Sequence, residues 1–119
     1  MKWLVGSFLA SVLLPFVPTR VIDGDTCVGL IELRPGLYEQ QTIRIQCLSL
    51  PDAGYYNAPE LRADGGGVAE AKRFQAFLSQ PDASYLLLTN WKDDKYGRVL
   101  GEPGVRDGKG FCSWDGGTP

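Results

Sequence analysis

Val21-Ile22-Asp23-Gly24-Asp25-Thr26 is the stretch whose reading decides the fold. Two apolar residues run into Asp-Gly, one of the commonest tight-turn pairs, so one strand ends at Ile22 and another begins at Thr26. Working upstream, Phe16 to Ile22 reads as a short strand; Pro15 and Pro18 cannot donate to a ladder, which puts it at an edge or a start. Working downstream, Thr26 to Leu33 is rich in β-formers and Pro35-Gly36 marks the next turn. Thr42 to Leu50 then alternates: Ile43, Ile45 and Cys47 share one face, and Thr42, Arg44 and Gln46 share the other. Arg44 therefore points away from the face that Ile43 and Ile45 bury.

From Pro51 to Gly67 the composition shifts to Pro, Gly, Asp and Tyr, which reads as a long loop within one domain. Val68 to Ser79 is the one convincing helix. Val68, Ala71, Phe74 and Leu78 recur at helical spacing, Glu70, Lys72, Arg73 and Gln75 take the wet side, and Pro81 ends it. Ser84 to Trp91 gives a fourth strand and Gly97 to Leu100 starts a fifth, where Gly101, Pro103 and Gly104 weaken the pattern. The expected class is mainly β with one helix. Three strands, a helix and two more strands is the β-β-β-α-β-β order of a five-stranded oligonucleotide-binding barrel, the OB-fold.

At 119 residues there is room for a single domain. The expected division is an apolar N-terminal segment or signal peptide over 1–15, the barrel over 16–106, and a Gly-rich, loosely ordered tail over 107–119 with a short pairing around Phe111 to Trp114. Lys2 followed by about a dozen apolar residues fits a secretory signal and is short for a membrane span. The alternative is an apolar first strand. Export would make the protein secreted or periplasmic; without it the location is cytoplasmic. Of Cys27, Cys47 and Cys112 at least one stays unpaired within a monomer, and an exported chain would form one disulfide whose pairing the sequence leaves open.

The formal net charge is −2, so no global positive field draws in nucleic acid. There is no histidine. Hydrolytic chemistry would therefore rest on carboxylates, guanidinium groups and a hard metal ion. Three stretches offer such groups: Asp23-Gly24-Asp25, Asn57-Ala58-Pro59-Glu60-Leu61 and Asp94-Lys95-Tyr96-Gly97-Arg98. Taken singly, each has a plainer reading. Asp-Gly-Asp is most often only a turn. An arginine on an exposed strand face usually meets a cross-strand charge. Pro59-Glu60 would be loop punctuation with a favourable charge near a helix start, and Asp94 to Arg98 a solvated hairpin turn.

In this order and at these separations the stretches resemble the thermonuclease family, the calcium-dependent nucleases related to micrococcal nuclease. The likeness covers roughly residues 16 to 100. It rests on Val-Ile-Asp-Gly-Asp-Thr, Ile43-Arg44-Ile45, Ala-Pro-Glu before the helix, and Asp-Lys-Tyr-Gly-Arg. It implies an OB-fold phosphodiesterase that cuts DNA or RNA, single strands in preference, as a monomer with one bound calcium ion. By position, Asp25 would be the first metal carboxylate and Asn57 the second metal ligand. Arg44 and Arg98 would clamp the phosphate, Glu60 would handle the attacking water, and Lys95 and Tyr96 would line the nucleotide site.

The chain departs from the family pattern in three places. Asn57 stands where the family has an aspartate, and an amide lacks the charge of a carboxylate ligand. Arg44 and Asn57 lie thirteen residues apart where the family has about five, so either the loop carries an insertion or Asp52 takes the place of Glu60. The family's C-terminal helices are absent. These departures keep a second reading open, a catalytically weak or silent OB-fold module that binds nucleic acid or protein, with tyrosines as stacking surfaces. A third reading is a homologue whose function is largely lost.

Overall fold

The computed structural model describes residues 12–90, 96–104 and 110–114. Its strands are β1 (Val12–Asp23), β2 (Thr26–Arg34), β3 (Leu37–Ile45), β4 (Tyr85–Asn90) and β5 (Val99–Gly104), with the helix α1 (Val68–Leu78) between β3 and β4. The five strands close into a barrel in the order β1-β2-β3-β5-β4, β4 returning to β1. Only β3 and β5 run parallel; the other neighbours are antiparallel. This is the OB-fold arrangement expected from the element order.

β1 is longer than the sequence pattern indicates, because it serves two neighbours. Val12 to Pro15 pair with Leu88 to Tyr85 of β4, and Phe16 to Asp23 pair with Ile31 to Thr26 of β2. The change of partner falls between Pro15 and Phe16, and the register against β2 shifts after Pro18 and again after Val21, as at the bulges that bend strands in small barrels. Residues 12–15 of the segment expected to be a leader or apolar start are thus barrel strand. Residues 1–11 lie outside the described residues.

β3 also differs from expectation. It begins at Leu37, directly after the turn at Gly36, whose φ of 81° is the left-handed conformation glycine tolerates. It ends at Ile45 rather than Leu50. Past Ile45 the chain folds back: Gln46 bridges Tyr55, the Cys47 N–H donates to the Gly54 carbonyl at 2.7 Å and the Tyr56 N–H to the Ile45 carbonyl at 3.3 Å.

Phe16, Ile31, Ile43, Ile45, Leu86 and Val99 pack the interior. α1 lies against β1 and adds Ala71, Phe74 and Phe77 to the buried set. Val68, expected on that apolar face, is exposed. Arg73, expected on the wet side, is half-buried because its guanidinium lies over the rings of Phe111 and Trp114 and donates to the Trp114 carbonyl at 2.8 Å.

The tail is expected to be loose apart from a short pairing around Phe111 to Trp114. Residues 110–114 are fastened to the barrel, and residues 107–109 and 115–119 lie outside the described ones. Phe111 is fully buried, with ring centroids 4.7 to 5.3 Å from Phe74, Tyr56 and Phe77. Cys112 forms a disulfide with Cys47, and the buried Glu102 carboxylate accepts the N–H groups of Ser49 and Cys112 and the Ser49 hydroxyl, each within 2.8 Å. Aromatic burial, a covalent link and a satisfied carboxylate outweigh the glycine-rich composition.

Candidate functional site

The site begins with the turn between β1 and β2. Asp23 and Thr26 are partners, leaving Gly24-Asp25 as the loop, and the Asp23 carboxylate accepts the Asp25 N–H at 3.1 Å. Register then fixes the next neighbour, since Thr26 of β2 pairs with Arg44 of β3 and the Ile45 N–H donates to the Asp25 carbonyl at 2.9 Å. Arg44 consequently projects beside Asp25, its Nη2 3.7 Å from Asp25 Oδ2.

The fold-back after β3 brings the third segment to the same place. Arg44 Nη2 donates to Asn57 Oδ1 at 2.6 Å and Nη1 to the Tyr56 carbonyl at 2.6 Å, while the guanidinium lies 5.2 Å from the centre of the Tyr55 ring. The Ala58 N–H donates to Asp25 Oδ2 at 3.0 Å. The thirteen-residue spacing is therefore an excursion whose two arms pair with each other. Asp52 sits near its tip and accepts the Gly54 N–H at 3.4 Å, so Asn57 rather than Asp52 reaches Arg44.

Gly24 is needed for the close approach of these segments. A Cβ there would stand 2.6 Å from the Glu70 Cβ and 2.8 Å from the Ala58 Cβ, closer than real contacts allow. The carbonyl oxygens of Pro59 and Glu60 in turn pack tightly on Gly67 at the start of α1, whose φ is 81°. The backbone from Asn57 to Glu60 is thus held at both ends. The Glu60 side chain is exposed and makes no hydrogen bond or ion pair with another described residue.

Electrostatics separate the two turn aspartates. Burial pushes Asp23 up to about 6, reinforced by its interaction with the Asp25 carboxyl. Burial works against ionisation at Asp25 too, but hydrogen bonds from Asp23, the Ala58 N–H and the Thr26 hydroxyl, with the Arg44 charge, hold its carboxyl below the ordinary value. Asp23 carried no role beyond the turn in the sequence reading. The signal was present in the Asp-x-Asp spacing, which puts two acids on one tight loop.

Arg98 and Tyr96 lie on the same outer surface. Arg98 stacks 5.1 Å from the Tyr96 ring centre, and both line a cleft of about 270 Å³ with Arg20 and Thr42. Thr42 is two residues from Arg44 along β3 and shares its face. Asp25, Arg44 and Asn57 thus form one cluster, Tyr96 and Arg98 a neighbouring one, and Glu60 stands two residues beyond the Ala58 anchor. Lys95 lies outside the described residues.

Calcium takes six to eight oxygen ligands. Asp25 offers a carboxylate that already accepts Ala58 and Thr26, and the Asn57 amide oxygen is engaged by Arg44. Among the described residues no group of three acidic, cysteine or histidine side chains converges. The two expected metal ligands meet on a guanidinium, so this arrangement does not fit a resident calcium ion. No protein-family model and no curated protein matches this chain.

Proposed function

We propose that this barrel is a phosphodiesterase of nucleic-acid strands, with Arg44 and Arg98 on the phosphate and Glu60 on the attacking water. One observation carries the reading. Arg44 is oriented by Asp25, Asn57 and the Tyr56 carbonyl on an outer barrel face that continues through Thr42 into the cleft of Arg98 and Tyr96.

The chemistry follows from the groups. Hydrolysis puts growing negative charge on the phosphoryl oxygens, and planar guanidinium donors match two of those oxygens and stay charged at any working pH. Orienting Arg44 beforehand removes the cost of arranging it during the reaction. The Glu60 carboxylate, without a partner among the described residues, takes a proton from water once a substrate brings that water within hydrogen-bond reach. Tyr96, 71% exposed, gives a base a flat surface to stack on. The bridge between Cys47 and Cys112 supports an exported location, since such bonds persist in oxidising compartments.

A second reading has its own observation. Because Arg44 engages both expected metal ligands, the barrel would bind a strand without cutting it unless a divalent ion draws Asn57 away from Arg44. Release of fragments from single-stranded DNA, measured with calcium and then with a chelator, separates the readings. Turnover that drops on Arg98→Ala supports the phosphodiesterase, and its response to the chelator shows whether a divalent ion takes part. Strand binding that persists in chelator with no fragments under either condition supports the silent module.

A further inference from the structure

We propose that Arg20 forms a second phosphate subsite, taking a phosphate of the strand other than the one held by Arg44. The inference rests on the phosphodiesterase reading for the identity of the ligand, and on its own observations for the site.

Arg20 is exposed on β1 and makes no hydrogen bond or ion pair with another described residue. It stands where the register of β1 shifts after Pro18, and the Thr19 hydroxyl pins that bulge by donating to the Val28 carbonyl at 3.1 Å. Bulges re-aim the side chains beside them, and here Arg20 is turned onto the cleft that Arg98 and Thr42 line. Among the described residues no carboxylate lines that cleft, although acidic residues outnumber basic ones in the chain, 14 to 12. The carboxylate of Glu39 on β3 accepts from the Gln41 amide. The Arg20 guanidinium and the Thr42 hydroxyl offer donors to an anion beside the phosphate that Arg44 and Arg98 hold.

Its separation from the first cluster follows from pairing. Arg20 is the partner of Val28, and Val28 the partner of Thr42, so two interstrand steps of about 4.8 Å separate Arg20 from Thr42. Arg44 lies two residues further along β3, which places the two arginine backbones roughly 12 Å apart. Arg44 is also held toward Asn57. A strand carries one charge for about every 3.4 Å of stacked rise, so a chain crossing both arginines meets them at different phosphates.

The test compares a dinucleotide with a decanucleotide, as single strands, for the wild-type chain and for Arg20→Gln. Binding is followed by fluorescence anisotropy across a salt series, and hydrolysis by fragment release. The wild-type chain binds the longer strand more tightly. In Arg20→Gln that gain on lengthening shrinks several-fold, and the slope of log affinity against log salt becomes shallower by about 0.7, the value for one single-strand phosphate. Arg20→Lys keeps the slope. An Arg20→Gln chain with the full gain and the wild-type slope overturns the subsite and leaves the phosphodiesterase reading standing. Binding that responds to Arg20 as described, with no fragments from either strand, supports the subsite and defeats the hydrolytic reading. A wild-type chain that binds neither strand overturns both.

Discussion

Replacing Cys47 and Cys112 together by serine removes a cross-link between residues 65 positions apart. Opening a loop of that size returns conformational freedom to the unfolded chain, and the loop-closure relation puts the loss of stability at about 4 kcal/mol. Small domains have only about 5–15 kcal/mol in total, so the change is a large fraction of what holds this barrel folded. With an unfolding entropy of about 2.1 cal/mol/K per residue, the melting midpoint should fall by roughly 15 °C. Urea denaturation of the oxidised wild-type and the double serine variant measures the difference directly, with Cys27→Ala as a control for loss of a buried thiol. Thiol titration in denaturant should find one free group, Cys27, before reduction and three after it. A stability difference below about 1 kcal/mol, with the bridge shown to be intact in the wild type, would refute the loop-entropy reasoning.

Asp23→Asn should stabilise the protein at pH 7 and leave it unchanged below pH 4. A carboxyl raised in the folded state contributes stability below its unfolded value of 3.8 that is lost as pH rises through about 6, and the amide removes that loss. Asp25 acts in the opposite sense, its contribution disappearing as pH falls through a depressed value, so Asp25→Asn should flatten the acid limb of the stability curve. Urea midpoints across pH for each variant check both signs. Arg44→Ala should lower strand turnover on the order of a hundredfold, and Arg44→Lys should recover little, because one ammonium cannot reach Asn57, Tyr56 and Asp25 together. Gly24→Ala should reduce turnover by forcing the turn away from Ala58, with most of the loss in kcat; equal activity in the variant would show that the close approach at Gly24 does not position Arg44.

Much of the barrel was legible because its signals are local. Asp23-Gly24 and Pro35-Gly36 mark turns by their own chemistry, and the alternation of Ile43, Arg44 and Ile45 sets which side faces inward. β5 was harder to read, since Gly101, Pro103 and Gly104 look like breakers. In the barrel the missing side chain of Gly101 admits the Leu87 carbonyl oxygen, which would lie 2.7 Å from a Cβ there, and neighbours on both sides hold the strand flat. The fastening of the tail depends on Phe74, Phe77 and Cys47, all far away in the chain, so the stretch from Phe111 to Trp114 suggests a short pairing but not its partners. The same applies to the site. Asp25 and Arg44 could be paired from strand register, but the meeting of Arg44 with Asn57 depends on the excursion between Gln46 and Tyr55, whose path only the folded chain reveals. Arg20 has no place in the sequence reading, because a bulge leaves little trace in composition.

The seam between Val12–Pro15 and Tyr85–Leu88 joins an early segment to a late one. A chain made from its N-terminus exposes Leu13 and Leu14 long before their partner strand exists, and an unpaired apolar edge invites association with other chains. Synthesis on the ribosome therefore leaves a vulnerable interval, which a holding chaperone or delayed release would cover. By the same logic, a truncation that begins after Pro15 would leave β4 with an unmatched edge and should yield oligomers, while one that begins at Val12 keeps the seam whole.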